Sequence, residues 1–275
     1  MTAETNETTN EARSVVTRDG TPIACRIVPG AQEHRFVLVH SLAMDMSFWE
    51  RTVRALAGAG EVLVVDCRGH GRSGKPAGPY SVEQFADDIG EVMDGIGWKS
   101  AIVAGASMGG CVSLAFAARH PERTEGLGLF DTTAWYGPTA PDDWAKRAAK
   151  AKDEGLAALV AFQQTRWFSD AFRAANPDVV EDAVSVFLAN DPAAYVATCN
   201  MLGAADLRSA LAAFDFPCEI RVGSEDYATP PPMAEALAHS IPGAHLEILE
   251  QVRHLSPIEA PDRIAEAMRL LAARK

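Results

Sequence analysis

Apolar positions along this chain follow two rhythms. Short β-rich runs appear at "RFVLVH" (35–40), "EVLVVD" (61–66), "SAIVAG" (100–105), "GLGLFD" (126–131), "CEIRVG" (218–223) and "HLEILE" (245–250) and predict strands. "RFVLVH" is almost continuously apolar, which predicts a strand covered on both faces, since a strand with one wet face alternates apolar and polar residues. Two further β-rich runs, "SVVTRDG" and "TPIACRIV", flank Asp19-Gly20, which predicts a hairpin. Between the strands the apolar spacing becomes helical. One helix is expected from near Ser47, with that residue as its cap. In "SVEQFADDIGEVMDGIG", Ser81 and Gln84 are spaced as a capping box, and Phe85, Ile89, Val92, Met93 and Ile96 recur at helical spacing. "MGGCVSLAFAARHP" (108–121) reads as a helix ended by Pro121, "PMAEALAHSI" as another, and "PDRIAEAMRLLAARK" as a last one with Pro261 in its first turn.

Strand–helix alternation predicts an α/β fold: a mostly parallel, eight-stranded sheet with helices on both faces. The rhythm breaks over 134–206, where only helical pieces occur. That segment is expected to form an all-helical cap, or lid, inserted into a core domain built from 14–133 and 207–275. Residues 1–13 are polar and read as a disordered tail. Sheets of this type hold ligands at the carboxyl ends of their strands, which ranks the polar residues.

Composition narrows the function classes. The chain is 48% hydrophobic and 23% charged, as expected for a globular protein with a large core. A net charge of −12 argues against a nucleic-acid partner. No run approaches the roughly 18 apolar residues of a membrane span, and the start lacks the basic and apolar segments of a secretory signal. The five cysteines, Cys25, Cys67, Cys111, Cys199 and Cys218, are widely spaced with no CxxC pair. They read as core residues of a reduced, cytoplasmic protein, and no metal-ligand spacing or cofactor motif appears. The expected partner is a small molecule, and a homodimer stays open.

The candidate chemistry centres on "AIVAGASMGGC" (101–111). Ser107 follows a strand and precedes a helix, with Gly105 and Gly109 two positions away on either side. This Gly-x-Ser-x-Gly turn presents a serine hydroxyl above the sheet and leaves free N–H groups at the helix start. A serine needs a base, and the base needs an orienting acid. Of the seven histidines, His254 alone lies in a carboxyl-end loop late in the chain. His34 and His245 precede their strands, His120 and His239 sit on helices, and His70 lies in the glycine-rich "DCRGHGRSG". Asp226, after the strand 218–223, is the preferred acid. Its neighbour Glu225 ranks lower, and Asp131, ending another strand on the same edge, is the serious alternative. The amide of Met108 is one expected oxyanion donor. The second comes from "SLAMD" after "RFVLVH", with Leu42 preferred and Ser41 or Ala43 close behind.

With these residues in view, the chain resembles the α/β-hydrolase family over nearly all its length after residue 14, and most of all the 3-oxoadipate enol-lactonases. "HSLAMDMSFW", "DCRGHGRSG", "GASMGG", "RWFSDAF", "CNMLGAADLRSAL", "GSEDYATPP" and "RHLSPIEAPD" carry the resemblance. It implies a Ser107–His254–Asp226 triad that hydrolyses an ester or lactone through an acyl-enzyme without cofactor or metal. Arg166 would then meet a substrate carboxylate beside Trp167, and Trp135 and Trp144 would wall the pocket or form lid core. The lactonase pattern has asparagine where His40 stands and glycine where Ala43 stands, so His40 is expected at the pocket mouth. The same motifs suit hydrolysis of acyl-homoserine lactones or xenobiotic esters, C–C bond hydrolysis of vinylogous ketones, a cofactor-free perhydrolase, or a slow-turnover ligand receptor. Dehalogenases and epoxide hydrolases of this fold use an aspartate nucleophile, and Ser107 argues against both.

Overall fold

In the computed structural model, which describes residues 11–30 and 33–274, the expected alternation is present. The strands are β1 (Arg13–Val16), β2 (Pro22–Val28), β3 (Arg35–Val39), β4 (Glu61–Val65), β5 (Ala101–Ala106), β6 (Thr124–Phe130), β7 (Cys218–Gly223) and β8 (His245–Leu249). They form one eight-stranded sheet in the order β1-β2-β4-β3-β5-β6-β7-β8. The β1–β2 hairpin is antiparallel, with Val16 opposite Pro22, and β2 runs antiparallel to β4. Every later pairing is parallel. Sequence positions 1–10 of the expected tail lie outside the described residues, and β1 begins one residue inside that segment, at Arg13.

Between the strands lie α1 (Glu50–Ala55), α2 (Val82–Gly95) and α3 (Met108–Arg119). Ser81 accepts from the Gln84 amide while the Gln84 side chain accepts from the Ser81 amide, so the capping box forms as its spacing predicts. The entry to α1 differs from expectation. Asp45, not Ser47, is the capping group: its carboxylate accepts from the Ser47 amide at 2.9 Å and starts a 3₁₀ turn over Met46–Trp49. β5 is buried along its whole length, and β3 is buried in all but its first residue, as the unbroken apolar runs require. Arg68 of "DCRGHGRSG" makes a buried two-pronged pair with Asp88 of α2 at 2.7 and 2.6 Å, and reaches Asp19 of the hairpin at 3.0 Å. The motif therefore ties three segments together.

The segment after β6 is helical throughout: α4 (Ala140–Glu154), α5 (Val160–Trp167), α6 (Asp170–Ala175), α7 (Pro177–Leu188) and α8 (Pro192–Ala204). Its two ends meet, for the Leu207 amide donates to the Ala134 carbonyl at 2.9 Å and Trp135 bridges Asp206. Trp144, Arg147, Arg166 and Trp167 of this segment line one cavity with Ser107 and His254, so its helices lie against the carboxyl edge of the sheet. α9 (Pro231–Ser240), α10 (Ser256–Glu259) and α11 (Pro261–Ala273) complete the core.

Candidate active site

Ser107 stands between the last residue of β5 and the first of α3, at φ +53° and ψ −115°. A side chain bearing Cβ costs about 1–3 kcal/mol in such a region, so the surroundings must hold it there. They do so through the backbone: the Ser107 amide donates to the Phe130 carbonyl at 2.9 Å, and Thr132 Oγ1 donates to the Ser107 carbonyl at 2.7 Å. The flanking glycines answer a close approach. A Cβ on Gly105 would lie 2.0 Å from the Gly109 carbonyl oxygen, and one on Gly109 would lie 2.0 Å from that of Val39.

His254 follows β8 and Asp226 follows β7. The Ser107 hydroxyl is 2.9 Å from His254 Nε2, and His254 Nδ1 is 2.8 Å from Asp226 Oδ2. Asp226 Oδ1 accepts from the amides of Ala228 (2.7 Å) and Thr229 (3.1 Å), while Oδ2 accepts from the Thr229 hydroxyl. Burial opposes the Asp226 charge, but the His254 ring and these donors outweigh it and hold the carboxyl below its usual range. An ionised Asp226 only accepts, so the proton sits on His254 Nδ1 and the Nε2 lone pair faces Ser107. Glu225 is exposed and pairs with Arg253 at 3.3 Å.

Asp131 takes a different part from the alternative open to it. Its carboxylate accepts from the Gly223 amide at 3.2 Å and the Ser256 amide at 2.9 Å, bracing the two loops that carry Asp226 and His254. Burial, and then the Asp226 charge, push its pKa well above the ordinary value.

The loop after β3 makes a turn in which the Met44 amide donates to the Ser41 carbonyl at 3.1 Å. Leu42 occupies its second position and lines the chamber over Ser107. The Leu42 amide donates to no acceptor among the described residues. Met108, as the first residue of α3, has no acceptor within its helix. Among the described residues these two N–H groups have no acceptor, one in the residue that follows Ser107 and one in a wall of its chamber.

His40 is not at the pocket mouth. It is fully buried, its Nδ1 lies 2.7 Å from the Ser41 carbonyl, and its Nε2 accepts from the Cys67 amide at 3.0 Å. That donor fixes the tautomer with hydrogen on Nδ1, and burial holds the ring neutral by lowering its pKa. The Ser41 carbonyl and the Leu42 amide share one peptide unit, so His40 orients a candidate oxyanion donor from beneath and has no face toward substrate.

A chamber over Ser107 is walled by Trp144, Trp167, Tyr136, Arg147 and Arg166. A second cavity of about 210 Å³ shares Tyr136, Trp144, Arg147 and Arg166 with it and is lined further by Asp143 and Met233. Arg166 and Trp167 are therefore where expected, and Trp144 is wall as well as core. Trp135 is elsewhere: it lines a separate apolar cavity and stacks under Arg208 at 3.7 Å, because the strand-end turn carries it to the far side of the cap junction.

Arg147 escaped the sequence reading. It donates to the Tyr195 hydroxyl at 2.7 Å and lies over the Trp144 ring. A signal existed: on α4, Ala140, Trp144, Ala148 and Ala151 form the buried stripe, and Arg147 falls within it. Tyr136 had no such signal. Neither Arg147 nor Arg166 has a carboxylate at ion-pair distance among the described residues. Burial, and then the neighbouring Arg147 cation, pull Arg166 down to about 10 against the opposing pull of the Asp226 charge, so it remains charged at neutral pH.

Comparison with known proteins gives a consistent picture. Residues 36–267 match the model of the alpha/beta hydrolase family. The chain is 28% identical to 3-oxoadipate enol-lactonase 2 of Acinetobacter baylyi, covering 89% of this chain and 90% of that protein. It is 29% identical to 3-oxoadipate enol-lactonase 1 of the same organism, covering 92% and 93%. The crystal structure of the enol-lactonase from Burkholderia xenovorans superposes with a TM-score of 0.89 at 34% identity, covering 96% of this chain and all of that one.

Proposed function

The chain belongs to the alpha/beta hydrolase family, and from that premise we propose that it is a serine hydrolase opening a lactone or ester that carries a carboxylate, of the kind the enol-lactonases act on. The observation that carries this reading is the hydroxyl–imidazole–carboxylate chain at 2.9 and 2.8 Å, in a chamber also walled by two guanidinium groups that have no carboxylate at ion-pair distance among the described residues.

The chemistry follows from the geometry. His254 Nε2 takes the Ser107 proton as Oγ attacks the carbonyl carbon. The negative charge that develops on the carbonyl oxygen is met by the Leu42 and Met108 amides, each donor of this kind being worth about 2.7–4 kcal/mol in the transition state. His254 then gives its proton to the leaving oxygen, which in a lactone stays tethered to the acyl chain. Water, deprotonated by the same nitrogen, releases the acid and restores the serine. Asp226 keeps the ring in its tautomer and balances the imidazolium. Arg166 and Arg147, which line both cavities, would hold the substrate carboxylate in two-pronged contact, the geometry for which guanidinium is suited.

A panel of carboxylated and neutral lactones, aryl esters and vinylogous diketones, run with wild type and Ser107→Ala, tests the reading. Turnover of the carboxylated lactones that disappears in Ser107→Ala supports it. Undiminished turnover in a folded Ser107→Ala protein rules it out, and preferential cleavage of the diketones replaces the reaction class.

A further inference from the structure

Ala43 sits at φ +59°, with its side chain fully buried. It follows Leu42 in the turn closed by Met44 and Ser41, and positive φ at the third turn position is the type II pattern that normally calls for glycine. A residue with a Cβ does not hold that conformation unaided. The cap supplies the hold. Asn190, just past the end of α7, places Nδ2 2.8 Å from the Ala43 carbonyl, 2.9 Å from that of Val186 and 3.2 Å from that of Phe187. Three carbonyls surround this atom, so it is the donor nitrogen and not the amide oxygen. Its hydrogens are divided between the turn and the last carbonyls of α7.

The anchor behind Asn190 is firm and leads back to the chamber. Phe187 is fully buried and meets Trp167, a wall of the chamber, edge to face at 5.4 Å, and Tyr195, the partner of Arg147, at 5.9 Å. The packed face that surrounds substrate thus ends in a hydrogen bond to the turn that carries the Leu42 amide.

We propose that Asn190 is a positioning residue: from the cap, it holds the Ser41–Met44 turn in the left-handed form that aims the Leu42 amide at the reacting carbonyl oxygen. The proposal rests on the serine-hydrolase reading above. Because that amide meets full negative charge only in the transition state, loss of the clamp acts on turnover and leaves substrate binding alone.

Asn190→Ala and Asn190→Ser are compared with wild type in kcat, KM, melting temperature and inhibition by a boronic acid, which forms a tetrahedral adduct on a reactive serine. Serine at this position keeps a hydroxyl able to bond the Val186 carbonyl within the helix end, but it is too short to reach Ala43. It therefore separates support of α7 from the clamp. Both variants are expected to lose about tenfold in kcat, less than the about 10²–10³ that follows loss of an oxyanion donor itself, with KM within about twofold. Boronate affinity should fall in step with kcat, and Asn190→Ser should melt as wild type does. Adding Ala43→Gly to Asn190→Ser should recover part of the lost kcat, since glycine adopts positive φ without penalty. A normal kcat in Asn190→Ser, or a loss not mirrored in boronate affinity, overturns the proposal. An inactive Ser107→Ala beside a fully active Asn190→Ser would fault the clamp alone, whereas an active Ser107→Ala would fault the reading beneath it.

Discussion

His254 Nε2 lies 2.9 Å from Ser107 Oγ, although 147 positions of chain separate the two residues. Parallel strand order brings them together: β5 ends at the serine, β8 precedes the histidine, and both loops open on the same edge of the sheet. Each side of the contact depends on backbone that tolerates little change.

On the serine side, Gly105→Ala should abolish the site. The new methyl would lie 2.0 Å from the Gly109 carbonyl oxygen, which is backbone and has nowhere to go. Either the elbow unfolds or Ser107 moves away from His254, and overpacking of this kind costs about 1–3 kcal/mol or more. Activity against an aryl ester and the melting temperature measure it. A variant with wild-type activity and stability would show that the elbow is looser than these contacts require.

The two cap arginines predict a charge preference. Arg166→Ala and Arg147→Ala should each raise KM for a carboxylated lactone about tenfold or more, as expected when a charge-assisted contact worth about 1.5–3 kcal/mol is lost. KM for a neutral lactone should change little. Equal effects on both substrates would remove the carboxylate-binding role from these residues.

Asp226 gives a prediction in pH. Its carboxyl is held below the ordinary 3.8, burial being outweighed by the His254 ring and the donors of Thr229 and Ala228. A carboxylate depressed by folding stabilises the native state above its unfolded value, and the contribution fades as pH falls through the folded one. Asp226→Asn should therefore unfold at lower denaturant concentration than wild type at neutral pH, with the gap closing as pH drops below 3.8. At neutral pH its kcat should fall by about 10⁴, the loss found when the acid of a serine-protease triad is amidated. A gap in stability that is constant with pH would mean that the carboxylate is not what the fold uses.

Much of this was legible in the sequence, and the exceptions share a cause. Apolar runs and turn residues marked the strands, most plainly the central β3, β4 and β5, whose burial on both faces leaves a continuous apolar signature. The rule that ligands sit at carboxyl ends then singled out Ser107, Asp226 and His254, which the fold brings into contact. His40 misled because its position beside the site is real, while the direction of its ring is decided by the Cys67 amide, a partner 27 positions away. Trp135 misled in the same way, its ring turned aside by the junction with Asp206 and Arg208. The Asn190 contact with Ala43 spans 147 positions and no periodicity announces it. What escapes the sequence is side-chain direction wherever a long-range partner sets it.

Intact-mass measurement and peptide mapping after exposure to an organophosphonofluoridate decide whether Ser107 is a nucleophile activated by His254. A single adduct on Ser107 is expected, absent from Ser107→Ala and formed far more slowly in His254→Ala. No adduct, an adduct on another residue, or labelling of His254→Ala at the wild-type rate would contradict that role.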